Sequence, residues 1–184
     1  MFKTRTLLYL SALVLCSWRA GATVLVPADL GELARDAGAI VRGRVAATET
    51  RWSGGRRAIE TVVTMDVEES LKGPLGRTVR FVVPGGTLGR YRSLFVGAPQ
   101  FAAEERVVVF LGWRGPSYPY LLGLGQGVFR VAATANRTGA MVTPPPMMAP
   151  AAGSARIVRG DPSRVPMPLA AFEQRVRALA GGQR

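Results

Sequence analysis

No histidine occurs anywhere in these 184 residues, and the single cysteine, Cys16, lies in an apolar N-terminal stretch. Without imidazole the chain cannot build Ser-His or Cys-His nucleophilic pairs, histidine acid–base steps or histidine metal sites. Without a cysteine beyond position 16 it has no thiol catalysis and no thiolate metal ligand there, and nothing with which to form an internal disulfide. Lysine is nearly as scarce: past position 22 only Lys72 remains. A Ser-Lys dyad would have to use it, and Ser70-Leu71-Lys72 lacks the S-x-x-K spacing; its simpler role is that of a solvated turn residue. Gly85-Gly86 and Gly89 are not followed by Lys-Ser/Thr, so they form no phosphate-binding loop. No cofactor and no metal are expected.

Carboxylates are the chemistry that remains. Glu68-Glu69 and Glu104-Glu105 are adjacent in sequence, and adjacent strand residues point to opposite faces, so neither pair acts as a unit. Asp66 and Glu68 share a face about 7 Å apart by strand geometry. That spacing is open to a calcium site or an acid–base couple. Glu60 and Thr64 continue the same polar side in plain alternation, which reads instead as a solvated strand face. The expectation is a protein that is not an enzyme.

What is present first is an export pattern. Lys3 and Arg5 precede an apolar run from Leu7 to Trp18, and Ala20-Gly21-Ala22 supplies a small-x-small site, so residues 1–22 read as a signal peptide cleaved after Ala22. Lipid attachment at Cys16 is the alternative, and Leu15 is not the small residue that processing wants before the cysteine. The expected location is periplasmic or secreted, with no membrane span once the leader is gone, because no other apolar segment approaches the roughly 20 residues a span needs. Removing Lys3, Arg5 and Arg19 leaves 21 basic against 12 acidic side chains, a net charge of +9. Such a balance suits an anionic polymer or surface. The arginines are scattered through every segment, however, and nucleic acid is not the expected partner.

Alternation dominates the rest. Residues 23–143 read as a β-barrel domain, 144–167 as a Pro/Ala-rich linker and 168–180 as an amphipathic C-terminal helix. A short helix is expected over 27–38, with Pro27 at its first position and Gly38 as its C-terminal cap. Strands follow at about 39–51 and 57–70, joined by Ser53-Gly54-Gly55, the second longer than the usual five or six residues and so expected to bend around a small barrel. A third is expected at about 77–83, then a loop to about 103. Val107–Leu111 is apolar on both faces, as in a central strand covered on each side. Shorter strands at about 120–124, 127–134 and 140–143 complete the set. In the last helix Leu169, Phe172, Val176 and Leu179 form one stripe.

The segment Asp36-Ala37-Gly38-Ala39-Ile40-Val41-Arg42-Gly43-Arg44-Val45 resembles the opening strand of netrin-like domains, the family that includes tissue inhibitors of metalloproteinases. Val62 through Glu69 to Leu71-Lys72-Gly73 is similar to the second strand of that family, and Phe101-Ala102-Ala103-Glu104-Glu105 with Val107–Leu111 is similar to a later one. Uncharacterised exported bacterial proteins share this strand pattern. The resemblance covers about residues 36–124 and implies a mainly β fold: a small antiparallel OB-like (netrin-like) barrel, with the short N-terminal helix and the C-terminal helix outside it. It also implies a protease inhibitor or protease-associated domain. The animal inhibitors ligate the protease zinc with an N-terminal cysteine, whereas the mature start here is Thr23-Val24-Leu25, so that mechanism does not carry over.

Three surfaces are candidates for a partner. The hairpin tip from Arg51 and Trp52 to Arg56 and Arg57 combines guanidinium groups with an aromatic, which can hold an anionic glycan, a lipid head group or nucleic acid by charge and stacking or can be an ordinary solvated turn. The loop from Gly85 to Gln100 carries Arg90-Tyr91-Arg92 and Leu94-Phe95-Val96; its apolar triplet either contacts a partner or plugs one end of the barrel. The C-terminal helix either docks a partner through its stripe or packs on its own barrel. The function expected is a non-catalytic exported binding or structural module of the bacterial envelope, with another envelope protein or an anionic polymer as partner.

Overall fold

The computed structural model describes residues 28–115, 118–134, 139–145 and 165–182. The expected leader and most of the expected linker lie outside them. Helix α1 (Leu30–Asp36) opens on a capping box. The Asp29 carboxylate accepts from the Glu32 N–H at 2.6 Å, and the Glu32 carboxylate accepts from the Asp29 N–H at 3.2 Å. That reciprocal cap starts the helix at Leu30, three residues after the expected Pro27. Gly38 is not its cap either: Ala37 ends α1 in extended backbone, and a Cβ at Gly38 would sit 2.8 Å from the Trp113 ring. The last carbonyls of α1, those of Ala34 and Arg35, accept from the Lys72 ammonium at 2.8 and 2.9 Å. Lys72 is therefore a helix-terminating donor and not a free turn residue.

The strands are β1 (Ala39–Ser53), β2 (Ala58–Lys72), β3 (Thr78–Pro84), β4 (Gly86–Leu88), β5 (Tyr91–Ser93), β6 (Arg106–Gly112), β7 (Tyr120–Leu121), β8 (Val128–Ala133), β9 (Ala140–Thr143) and β10 (Met167–Pro168); α2 (Leu169–Gly181) follows. Strands β1-β2-β3-β7-β6 pair in that order and β6 returns to β1, which closes an OB-like barrel of five strands. Every seam is antiparallel except β3–β7. That parallel contact is one ladder pair, Val82 opposite Tyr120, with the Val82 N–H donating to the Pro119 carbonyl at 3.0 Å. Outside the barrel, β8, β9 and β10 continue the sheet from β6. The β4–β5 hairpin inside the expected loop and the two-residue β10 were not visible as alternation, being too short to show a period.

Strand β6 explains why there are two cores and not the single one implied by a lone barrel. Its Val107, Val109 and Leu111 face the barrel interior with Val41, Val45, Val63, Met65, Phe81 and Leu121. Its Val108 and Phe110 face outward, where Phe129 of β8, Phe172 and Val176 of α2 and Leu30 and Leu33 of α1 cover them. Phe129 is the centre of this outer layer, 5.6 Å from the Phe110 ring and 4.8 Å from the Phe172 ring. Each such fully buried side chain contributes about 1.5–3 kcal/mol of transfer free energy. The helical stripe is thus consumed by its own sheet: Phe172 and Val176 are buried, and Leu169 and Leu179 are packed against them. Ion pairs pin α2 at its rim, Arg42 to Glu173 and Arg177 to Glu69, both at 2.7 Å.

Beyond Arg44, β1 parts from β6. The turn residues take over for one step, Val45 donating to the Glu105 carbonyl at 2.9 Å and accepting from the Glu104 N–H at 2.8 Å. A register shift between Val45 and Ala47 then bends the strand. From Ala47 to Ser53, β1 is paired only with β2 among the described residues, while β2 stays paired with β3 from Glu60 to Asp66, so the outer half of this hairpin runs past β6 as a ribbon whose β1 strand is its open edge.

Candidate functional site

The ribbon forms one wall of an open cleft of about 340 Å³ at the barrel mouth. Thr48 and Thr50 of β1 and Thr61 of β2 line it from the ribbon, Thr87, Arg92 and Ser93 from the β4–β5 hairpin, and Phe95, Gln100 and Phe101 from the loop that follows. Cross-strand pairing puts the ribbon threonines on one face, since Thr50 lies opposite Thr61 and Thr48 opposite Val63. The Thr50 and Thr61 hydroxyls approach to 3.4 Å, and Thr61 Oγ1 donates to the Gly85 carbonyl at 2.8 Å. That bond lays the β4–β5 hairpin onto the ribbon. Gly86, with φ of +138°, is required there, because a Cβ would come within 2.6 Å of Thr61 Oγ1 and 2.8 Å of Thr50 Cγ2.

The structure joins two of the sequence candidates and divides one. Trp52 of the ribbon meets Tyr91 of the β4–β5 hairpin edge to face, with ring centroids 5.3 Å apart. Arg90 stacks on the same Tyr91 at 5.1 Å, and its guanidinium donates to the Tyr91 hydroxyl at 2.9 Å. Arg51, one residue from Trp52, necessarily points to the other face of the ribbon. There it pairs with Glu60 at 2.7 Å and lies 5.7 Å from the Tyr118 ring, on which Arg80 also stacks at 5.0 Å. Arg56 and Arg57 stand exposed in the turn, Arg56 with φ of +71°. Neither they nor Arg92 has a carboxylate in salt-bridge range among the described residues. Arg51 and Trp52 therefore serve opposite surfaces, and only Trp52 continues the cleft side.

Leu94, Phe95 and Val96 do not plug the barrel: they are 74, 51 and 70 % exposed. Phe101 and Ala98 close that end, packed against the inner core, with Phe101 edge-on to Phe81 at 5.5 Å. The apolar triplet is left as an exposed lip beside the cleft.

Asp66 and Glu68 are held by cations. Arg106 grips Glu68 with two nitrogens at 3.0 and 2.6 Å and Arg42 adds a third bond at 2.7 Å, while Asp66 lies 3.6 Å from Arg44. The Arg106 fork, with the neighbouring charges of Arg42 and Arg44, holds the Glu68 carboxyl below the usual carboxylate range against the opposing effect of burial. No group of three metal-ligating side chains occurs among the described residues. The cleft threonines were the residues missed in the sequence, because hydroxyls in a strand read only as alternation. The signal that pointed near them was the paired Gly85-Gly86. The chain matches no protein-family model, no curated protein and no solved structure.

Proposed function

We propose that this protein is a non-catalytic, exported binding module that seats part of an envelope partner in the cleft at the barrel mouth. The observation that carries the reading is the lining: hydroxyls, an amide, one guanidinium without a carboxylate partner among the described residues, and an apolar lip around an open volume of about 340 Å³. Such a set recognises by hydrogen bonds, charge and contact area. It holds no paired acid and base, and the carboxylates nearest in chemistry to a catalytic couple, Asp66 and Glu68, are committed to arginines. An NMR titration tests it, with short peptides and with neutral and acidic oligosaccharides as ligands. Shifts concentrated at Thr48, Thr50, Thr61 and Arg92, with the ligand recovered unchanged, are expected. Ligand turnover, or perturbation confined to the Tyr118 face, would overturn it.

A second reading, retention of an anionic polymer at the hairpin tip, is favoured by the exposure of Arg56 and Arg57 without carboxylate partners among the described residues. It predicts salt-sensitive retention on heparin that falls in an Arg56→Ala/Arg57→Ala variant. The same retention in that variant would count against it.

A further inference from the structure

The outer half of β1 is an open sheet edge. Among the described residues no strand pairs with it beyond Arg44 on the side away from β2. Its hydrogen-bonding phase can be read from one contact. The Ile59 carbonyl accepts from the Gly85 N–H at 2.8 Å, on the side of β2 away from β1. In an antiparallel ladder a residue turns its N–H and C=O to the same side, and facing residues do so together. Trp52, opposite Ile59, therefore turns both groups outward. The register runs unbroken through Thr50 opposite Thr61 and Thr48 opposite Val63, so these two residues do the same. The N–H and C=O of Thr48, Thr50 and Trp52 thus form a free template. The stretch Ala47–Ser53 has no proline and no lysine, and Ala47, Thr48 and Glu49 are exposed.

The same Thr48 and Thr50 carry side chains that line the cleft. A chain added at this edge would lie about 4.8 Å from β1, with its alternate side chains on the cleft face. Those side chains would meet Phe95 and Phe101 as apolar walls and Arg92 as a cation without a carboxylate partner among the described residues. We infer that the edge and cleft together take an extended peptide segment of a partner protein by β-strand addition, with an acidic side chain of that segment directed at Arg92. Main-chain bonds to Thr48, Thr50 and Trp52 supply the affinity and the cleft supplies the selection. This rests on the binding-module reading and specifies its partner and mode.

The experiment selects a phage-displayed library of random heptapeptides on the immobilised full chain and measures the enriched peptides by calorimetry and amide exchange. Expected are peptides with an acidic residue at an alternate position, slowed exchange at Thr48, Thr50 and Trp52, and about tenfold weaker binding to Thr50→Pro. Proline there removes an outward N–H and no backbone bond to β2; the hydroxyl contact with Thr61 is lost in Thr50→Val as well, which makes that variant the control for it. Thr50→Val, which keeps the N–H, should bind more tightly than Thr50→Pro, and Arg92→Gln, which leaves the backbone alone, should lose the preference for acid. Failure to enrich any peptide, undiminished binding to Thr50→Pro, or a dimer of the chain itself that Thr50→Pro dissociates would each overturn strand addition. Oligosaccharide shifts in the cleft without slowed exchange would sink strand addition and leave the binding-module reading standing; the absence of any cleft ligand would remove both.

Discussion

The inner and outer halves of the β1–β2 hairpin are made by the same two fifteen-residue strands and the same ladder, yet they are different kinds of structure. In the inner half, Ile40 is covered by the outer core and Val41, Val45 and Met65 by the inner one, all fully buried. In the outer half Ile59, Val62 and Val63 are buried, while Ala47, Thr48 and Glu49 are exposed. What separates them is the departure of β6 at Arg44, after which β1 has only β2 beside it while β2 keeps β3. Burial holds the root. In the outer half, β2 is held by its buried Ile59, Val62 and Val63 and by β3, and β1 is held by cross-strand pairs such as Arg51–Glu60 and Thr50–Thr61, each worth roughly 0.2–1 kcal/mol. The exposed β1 edge is therefore adjustable at little cost to the fold.

The largest blow to this contrast should fall on the root. Phe129→Ala, which hollows the outer core between Phe110 and Phe172, should cost about 3–5 kcal/mol in urea denaturation. A cost below about 1 kcal/mol would show that the outer core does not carry the domain. Next, Gly86→Ala forces the β4–β5 hairpin off Thr50 and Thr61 and should cost about 1–3 kcal/mol, with faster amide exchange in β4 and β5 and no change at β6. Faster exchange throughout the barrel would mean that the two halves are one cooperative unit. Glu68→Gln should cost about 1 kcal/mol near neutral pH, discounted for its partial exposure. Because the folded carboxyl titrates below its unfolded value of about 4.3, its contribution is complete above that value and lost as pH falls through the lower folded value. Stability of the parent and the Gln variant should therefore converge in acid; a constant difference down to the lowest pH would refute the assignment. The smallest effect belongs to Trp52→Ala, about 0.5–1.5 kcal/mol or less from the lost Tyr91 contact, with altered near-ultraviolet dichroism.

The root was legible in the sequence for the reason that makes it stable. Val107–Leu111 is apolar on both faces, so it announced a doubly covered strand, and the Leu/Phe/Val stripe of α2 announced what would cover one side of it. Long alternating runs likewise gave β1 and β2 to within about two residues at either end. The site was less legible. Arg51 and Trp52 are neighbours in sequence, and alternation sends them to opposite faces, so a cluster on paper becomes two surfaces in space. The pairing of Trp52 with Tyr91, and of Thr61 with Gly85, depends on a hairpin only three residues deep per strand, too short for its period to register. The role of Lys72 is hidden in the sequence because its partners, the carbonyls ending α1, lie more than thirty residues away in the chain.

The single parallel pair that shuts the barrel has a kinetic meaning. Fastening Val82 to Tyr120 joins strands far apart in sequence for very few bonds, whereas the β1–β2 hairpin zips from a local turn, so the fastening should come late in folding. In the native protein that clasp is the thinnest line along the barrel wall. The Val82 amide should exchange with solvent deuterium well before those of Val107–Val109, and rapid loss there would mark where the closed wall first comes undone.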